Sequence, residues 1–246
     1  MAFTVHAVMP GVWHIVDCMG VCMTLLEGEN AAMLVDTGYG IEDVADFMRH
    51  MTDLPLTVFL THNHHDHAMG ARCFPETYML EADMADWRMF TDDRMRRRVL
   101  TQAIGKNLPV DEKTFLAGEI PLPKVMKPGV IDLGGLTAEI IEAPGHTPGS
   151  AVVYVPERKL LLSGDDWNPC TWLFFPQALG LREYRSNMRG IQQLPFEKVL
   201  CPHREALYDR WMFDDFFNAL TDGNLRAAEP VNIAPYEQID TCQATL

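Results

Sequence analysis

A run of histidine and aspartate residues directly after an apolar segment constrains this chain more than any other feature of its sequence. Residues 56–60 have the length and composition of a buried strand, and residues 61–67 continue as Thr-His-Asn-His-His-Asp-His. Four side chains in this run are common metal ligands, namely His62, His64, Asp66 and His67. The spacing of the first two lets a turning backbone direct both rings at one point, while the last two can face a second point. Imidazole and carboxylate together favour zinc, iron or manganese over calcium or magnesium.

The alternative interpretation of this run is a histidine-rich surface loop that binds metal adventitiously, or an expression tag. Its internal position excludes a tag. The strand before the run and the sequence Ala68-Met69-Gly70 after it are typical of a turn that is built into a fold. We therefore interpret residues 61–67 as a ligand loop.

The same placement of polar residues recurs along the chain. Asp36 follows the apolar residues 32–35, and three further candidates, His146, Asp165 and His203, follow short apolar segments in the same way. Side chains placed just past strand ends converge along one edge of a sheet, and the buried strands hold that edge rigid. The sequence therefore predicts one site assembled from distant segments.

The remaining patterns indicate a mixed α/β chain. Apolar spacing predicts helices over residues 40–51, 81–102 and 208–220, and strands and turns over the first 35 residues. Residues 136–142 and 198–201 are predicted strands, and residues 151–155 and 160–162 a hairpin. Residues 108–129 are rich in proline and glycine and predict a loop with short strands.

Composition excludes several functions. The formal net charge of −14 repels phosphate backbones and anionic membrane surfaces, so we expect neither nucleic acid nor a membrane as partner. No apolar segment approaches the ~18 residues of a membrane span. The first residues lack the features of a secretory signal, which predicts a cytoplasmic location. The six cysteines contain no Cys-x-x-Cys pair, which favours small buried side chains over a zinc ribbon or disulfides.

Five blocks together resemble the signature of the metallo-β-lactamase superfamily. They are Asp36-Thr37-Gly38, the run from His62 to His67, Gly145-His146-Thr147-Pro148-Gly149, Ser163-Gly164-Asp165, and His203. The resemblance implies an α/β fold with a four-layer αββα sandwich. It also implies a single domain over residues 1–246, built from two similar halves of roughly residues 1–115 and 116–246.

The same resemblance implies a ligand set. One metal ion would bind His62, His64 and His146, a second would bind Asp66, His67 and His203, and Asp165 would bridge both. Asp36 would orient ligands without binding metal. His65 fills a variable position and is expected not to bind. Asp166 competes with Asp165 for the bridging position, and the pattern Gly-Asp favours Asp165.

A reaction follows from this ligand set. Two divalent metal ions, zinc foremost with iron or manganese as alternatives, would generate a bridging hydroxide that attacks a carbonyl carbon or a phosphorus atom. Asp66 is the candidate catalytic residue, because it could take up and pass on a proton. Tyr184 and Tyr208 are candidate donors to the leaving group, although packing is the favoured interpretation of each.

The position of Asp165 bears on the branch of the superfamily. A true β-lactamase would have cysteine or serine near this position. The ligand set is instead similar to that of glyoxalase-II-type thioesterases and lactonases, although too few residues follow His203 for the helical domain of a glyoxalase II. We therefore expect a hydrolase of a small-molecule ester, thioester or lactone. The alternatives are an iron-dependent oxidoreductase similar to persulfide dioxygenases, a phosphodiesterase, and a metal-dependent binding protein without turnover.

Two segments bear on the substrate. Residues 167–181 are unusually apolar, and Trp172 and Phe174 are candidates for a wall over the metals, for a homodimer contact, or for ordinary core. Residues 94–98, Arg-Met-Arg-Arg-Arg, are the one basic cluster of an acidic chain. A solvated helix end is favoured there over a site for a substrate anion, because cations late in a helix suit its dipole.

Overall fold

The computed structural model describes residues 3–173 and 175–227, which form two β-sheets with helices against their outer faces. Strands that are neighbours in the chain are also neighbours in each sheet. Within the described residues, the first sheet has the strands β1 (Thr4–Met9), β2 (Val12–Val16), β3 (Cys22–Glu27), β4 (Ala32–Val35), β5 (Leu56–Phe59), β6 (Tyr78–Met79) and β7 (Lys124–Val125). The second has β8 (Gly129–Asp132), β9 (Thr137–Glu142), β10 (Ala151–Val155), β11 (Leu160–Leu162), β12 (Lys198–Leu200) and β13 (Tyr208–Asp209).

The helices lie between these strands in the chain. They are α1 (Val44–Met51), α2 (His65–Ala68), α3 (Trp87–Thr91), α4 (Asp93–Gly105), α5 (Glu112–Phe115), α6 (Leu181–Ile191), α7 (Arg210–Ala219) and α8 (Asp222–Ala227). Short 3-10 turns cover Met69–Cys73, Glu81–Asp83, Pro156–Arg158 and Gly164–Asp166. Across the described parts of the chain, no helix has both the length and the apolar content that crossing a bilayer requires.

Parallel pairs of strands bring the chain repeatedly to the same sheet edge. In the first sheet β4 and β5 are parallel, with Val35 opposite Phe59, so Asp36 and the loop after β5 leave the sheet side by side. In the second sheet β11 and β12 are parallel, with Leu162 opposite Leu200. The segments leading to Asp165 and His203 therefore leave this sheet together as well, which is why strand-end residues from distant parts of the sequence can meet.

The main core lies between the two sheets. Met33 and Phe59 of the first sheet and Val153 and Leu160 of the second belong to one buried cluster and are fully shielded from solvent. Burial of such side chains is worth about 1.5–3 kcal/mol each relative to exposure, so this interface contributes strongly to stability.

Each sheet also buries its outer face under helices. Val44 and Met48 of α1 pack in one cluster with residues of the first sheet such as Leu34. On the other side, Met188 of α6 and Phe213 of α7 pack in one cluster with residues of the second sheet. The order helix, sheet, sheet, helix is the predicted four-layer sandwich, and the mixed α/β class is confirmed.

The main difference from the sequence patterns concerns residues 81–102, where one helix was predicted. The structure has a 3-10 turn followed by α3 and α4. Asp92 causes the second break, because its extended backbone (ψ 169°) ends α3 and its carboxylate accepts a hydrogen bond from Met95 N to begin α4. The sequence patterns also missed α6 and the short helix α5 inside the predicted loop of residues 108–129.

The cysteines match the expected small buried side chains only in part, because three of the five described ones are half-buried. The five described cysteines are free thiols, and Cys22 and Cys201 are buried. Burial raises the pKa of each of these two thiols to about 12, so both stay protonated and unreactive near neutral pH. Cys242 lies outside the described residues.

Candidate metal centre

The seven predicted ligands lie together at the edge where the strands end. Over the described residues, three overlapping groups have ligand atoms within 4.8 Å of one another. They are His62, His64 and His146; His62, His67 and Asp165; and Asp66, His67 and His203. The structure thus brings together every side chain to which the sequence analysis gave a metal-binding role.

The first group consists of three buried imidazoles. Nε2 of His146 lies 2.8 Å from Nδ1 of His64, and the ring of His62 lies edge-on to both of the other rings. Burial lowers the pKa of all three histidines. They are therefore neutral near pH 7, which is the form in which imidazole binds a metal ion.

Hydrogen bonds on the far side of the rings fix which nitrogen faces the centre. Nδ1 of His146 lies 2.6 Å from the carbonyl oxygen of Trp172 and donates its proton there, because a carbonyl only accepts. The hydroxyl of Thr61 gives its proton to Asp36, 2.9 Å away, and so accepts from Nδ1 of His62 at 3.0 Å. In both neutral rings the lone pair of Nε2 is left pointing into the site.

The second group adds carboxylates. Nε2 of His203 lies 3.6 Å from Asp66, and Nε2 of His67 lies 3.8 Å from the same carboxylate. Asp165 lies between the two groups. Its Oδ1 is 3.4 Å from Nε2 of His67 and 3.1 Å from that of His203, and its Oδ2 is 3.4 Å from Nε2 of His146. One carboxylate thus faces both groups, which is the geometry expected of a bridging ligand.

Imidazoles and carboxylates lie close enough in the second group and around Asp165 to shift each other's pKa. Burial alone would raise the pKa of Asp165, but the nearby His203 and His67 outweigh burial and hold this pKa well below its usual range. Burial would likewise lower the pKa of His67, yet the facing carboxylates, with Asp165 foremost, raise it well above the ordinary value. The carboxylates and the imidazoles of His67 and His203 therefore favour each other's charged forms.

Buried atoms without hydrogen bonds test whether these residues fit a metal. Within the described part of the chain, Nε2 of His62, Nε2 of His67 and Oδ1 of Asp165 are buried and lack a hydrogen-bond partner. Buried polar atoms are nearly always paired, so a cluster of exceptions requires an explanation. Metal ions coordinated by these atoms would satisfy them, and the nitrogen and oxygen donor set fits such ions.

Asp36 lies behind the ligands, where the sequence analysis placed it. Its carboxylate accepts from Thr61 N at 2.7 Å and from Nδ1 of His67 at 2.9 Å, so it orients both ligand groups. Its backbone has a φ of 66°, a left-handed conformation that costs energy in any residue but glycine. This strain, together with its hydrogen bonds to Thr61 and His67, marks Asp36 as a residue placed for orientation.

Sequence reasoning missed Asp83, which ties the two histidine loops together. This buried carboxylate accepts from Asn63 N at 3.2 Å, from the Thr147 hydroxyl at 2.7 Å and from Gly149 N at 2.6 Å. Asn63 lies between two ligands of the first group, and Thr147 follows the third. Asp83 also comes shortly after a strand, β6, so the strand-end rule could have identified it.

Four other side chains had alternative roles, two as possible metal ligands and two as possible proton donors, and their positions distinguish between these roles. Asp166 is absent from the metal groups found among the described residues, and its carboxylate instead accepts from His146 N at 2.9 Å. His65 is absent from those groups as well. The hydroxyl of Tyr184 is buried and donates to the carbonyl of Asp166, while Tyr208 packs edge-on against Trp167, 5.5 Å between ring centroids. Packing, as favoured, accounts for both tyrosines.

A cavity of about 420 Å³ opens beside the ligands. His64, Asp66 and Asp165 form its floor, and Trp172, with 37% of its surface exposed, is part of the wall. Phe174, the other predicted wall residue, lies outside the described residues. Its neighbour Phe175, which the sequence analysis did not single out, lines the cavity. The volume falls in the ~300–1,000 Å³ range of small-molecule sites.

Known proteins resemble this chain in sequence and in fold. The sequence model of the metallo-beta-lactamase superfamily matches residues 16–203. The acyl-coenzyme A thioesterase MBLAC2 of Gallus gallus is 26% identical over 202 residues, which are 73% of this chain and 70% of that protein.

Solved structures show a similar fold. The metallo-beta-lactamase FIM-1 from Pseudomonas aeruginosa in its mono-zinc form superposes with a TM-score of 0.61, at 17% identity, over 87% of this chain and 92% of that one. TTHA1623 in a di-iron-bound form gives a TM-score of 0.55, at 21% identity, over 79% of this chain and 92% of that one. These identities speak to the fold alone. Because the superfamily's sequence model covers well over half of the chain, this protein belongs to the metallo-β-lactamase superfamily.

Proposed function

We propose that this protein is a hydrolase that uses two divalent metal ions to cleave a small-molecule ester, thioester or lactone. The observation that carries the proposal is the position of Asp165. Its Oδ2 lies 3.4 Å from Nε2 of His146 in the first group and 3.1 Å from Nε2 of His203 in the second, and its Oδ1 lies 3.1 Å from the same nitrogen of His203. A carboxylate in this position is suited to hold two ions close together.

The residues divide naturally between two ions. His62, His64 and His146 would hold one, Asp66, His67 and His203 the other, and Asp165 would contact both. Bound there, two divalent ions would lower the pKa of a water between them toward ~7 and polarise a carbonyl group. Zinc suits this donor set best, and iron or manganese are the alternatives.

The chain's own groups supply the remaining steps. Asp66 belongs to the second ligand group and also lines the cavity, so its carboxylate is the group best placed to take up a proton from water beside the substrate. Asp36 and the carbonyl of Trp172 hold His67 and His146 in place through the far nitrogen of each ring. This preorganisation keeps the ligand atoms aimed at the centre before substrate arrives.

A thioester is the favoured substrate class. The relative MBLAC2 is an acyl-coenzyme A thioesterase, and the cavity wall includes apolar side chains that suit an acyl group, such as Phe90 and Phe175. An iron-dependent oxidoreductase remains the second candidate. The group His62, His67 and Asp165 offers two imidazoles and one carboxylate, a set that also binds non-haem iron.

Metal analysis followed by a substrate panel tests the proposal. The purified protein is expected to contain close to two zinc, iron or manganese ions per chain. After reconstitution it should hydrolyse thioesters or esters in a panel that also contains lactones and phosphodiesters. His62→Ala and Asp165→Asn should abolish that turnover. Turnover retained in both variants would overturn the site, and a single iron with oxygen consumption would favour the oxidoreductase.

A further inference from the structure

The cavity beside the ligands has one apolar side. The ring of Phe90 lies 4.4 Å from that of His64, and the ring of Phe175 lies 4.8 Å from the same histidine and 5.4 Å from His146. Met95 lines the same cavity. A group bonded to a carbonyl at the ligands would therefore meet aromatic and thioether surface, which binds alkyl groups by excluding water.

The cavity also has polar lining residues away from the ligands, and helix α4 supplies two of them. Met95, Arg98 and Gln102 all line the cavity and are spaced three and four residues apart, so they lie on one face of α4. From Met95 to Gln102 the helix rises ~10 Å at ~1.5 Å per residue. Over this distance the wall changes from a thioether to a guanidinium group and then to an amide.

Arg96 and Arg97, the two arginines that come directly before Arg98, have other roles. Arg96 is buried and donates to the carbonyl oxygens of Phe115, Ala117 and Gly118, which end helix α5. Arg97 pairs with Asp93 at 2.8 Å on the solvent side of the helix. Of these three consecutive arginines, Arg98 is the one that lines the cavity. The favoured interpretation of the run as a solvated helix end thus holds for Arg97, whereas Arg98 lies at the cavity.

We propose that the substrate carries both an apolar acyl group and an anion. The acyl group would lie against Phe90, Met95 and Phe175, and a carboxylate or phosphate of the same molecule would bind Arg98. A guanidinium group binds either anion through two parallel hydrogen bonds. In a chain with a formal charge of −14, a cation at the cavity also offsets the repulsion that an anionic substrate meets. This inference rests on the proposed hydrolase function.

Four thioesters separate the two possible sources of the anion. Hexanoyl and adipoyl groups differ by a terminal carboxylate, and each is joined either to N-acetylcysteamine, which has no phosphate, or to coenzyme A, which does. The metal-loaded wild type is compared with Arg98→Gln and with Arg97→Gln, the matched control that removes the same charge from the next residue. Circular dichroism checks that both variants are folded.

Hexanoyl-N-acetylcysteamine carries no anion and is the reference substrate. For the thioesters whose anion binds Arg98, we expect Arg98→Gln to lower kcat/KM relative to this reference by about three- to tenfold, mainly through KM. Arg97→Gln should leave that ratio at the wild-type value. An effect that follows the adipoyl group identifies a carboxylate on the acyl side, and an effect that follows coenzyme A identifies a phosphate on the thiol side. Equal losses in the two variants, or a loss that is the same for all four thioesters, would overturn the proposal.

A binding measurement separates failure of this inference from failure of the proposed function. Thioether analogues of the same four compounds lack the carbonyl group and cannot be hydrolysed, and their binding is followed by calorimetry. Binding that weakens in Arg98→Gln, with no thioester turned over by the wild type, would support the anion site and reject the hydrolase. Binding that is equal in Arg98→Gln and Arg97→Gln would reject the anion site whatever the turnover.

Discussion

Replacing Asp83 with alanine should release the two histidine loops from each other. The carboxylate accepts three hydrogen bonds in a buried position, from Asn63 N, the Thr147 hydroxyl and Gly149 N. Each buried donor left without an acceptor costs about 1–3 kcal/mol. Some solvent will enter the space left by the carboxylate, so we expect Asp83→Ala to lower the free energy of unfolding by about 3–5 kcal/mol.

The same change should weaken metal binding selectively. Asn63 lies between His62 and His64, and Thr147 follows His146, so losing their common acceptor loosens the backbone that carries the three ligands of the first group, while the hydrogen bonds of the His62 and His146 rings to Thr61 and Trp172 remain. Loss of a supporting hydrogen bond behind a ligand typically lowers metal affinity by about 10- to 100-fold. The second group has no hydrogen bond to Asp83 among the described residues and is supported by Asp36 through His67, so it should keep its affinity. We therefore expect one metal ion to become weakly bound while the other stays.

Chelator competition and thermal unfolding together measure both effects. For a chain of this size, the loss of about 3–5 kcal/mol should lower Tm by about 6–20 °C. Asp83→Asn retains one acceptor oxygen and should recover part of both losses.

Asp17 provides a matched control for the metal effect. It is also buried and accepts from several backbone amides, including those of Met19, Val21 and Tyr39, but it supports no ligand loop. Asp17→Ala should lower Tm while both metals remain tightly bound. The reasoning is refuted if Asp83→Ala binds both metal ions as tightly as the wild type, or if the two variants lose metal to the same extent.

Three further predictions follow from the site. Asp36→Asn places an amide NH₂ group against the proton donors of Thr61 and His67. Competition with a chelator should therefore show about 10- to 100-fold weaker metal binding, and unchanged affinity would argue against an orienting role. Trp172→Ala should raise KM far more than it changes metal content, because the oxygen that holds His146 belongs to the main chain, and the side chain that is lost lines the cavity and stacks on His203 at 6.2 Å between ring centroids. An exposed Trp211→Ala variant is the control, and unchanged KM with lost folding would contradict a wall role. Removing metal should lower Tm, since an ion at about 100 times its Kd stabilises the fold by about 2.7 kcal/mol, and an unchanged Tm would reject a structurally coupled metal.

The ligands could be predicted from sequence because their positions follow from local patterns. His62, Asp165 and His203 come directly after short apolar strands, and parallel pairing of those strands places them at one edge. The pattern Gly-Asp also distinguished Asp165 from Asp166. There the structure supplies the reason, since Gly164 has a φ of 51° that opens the turn before Asp165.

The cavity could not be predicted in the same way, because its residues owe their roles to tertiary placement. Arg97 and Arg98 are adjacent in the chain and chemically identical, yet one faces solvent and the other lines the cavity. The break at Asp92 sets where α4 begins and therefore which of these two exposed side chains lies at the cavity. Helix α6 escaped notice for a related reason, because the apolar segment before it masks the spacing of its buried residues, Tyr184, Met188 and Ile191.

The hydrogen bond from His146 to the carbonyl of Trp172 has a consequence for engineering this protein. The acceptor belongs to the main chain, so residue 172 can be exchanged for other side chains while the bond to the imidazole is kept. The path of the backbone from Asp165 to Trp172 has no such freedom, since an insertion there would move the carbonyl away from Nδ1. Substrate preference can therefore be redesigned by substitution in this loop, whereas grafting a loop of different length would also disturb the histidine it supports.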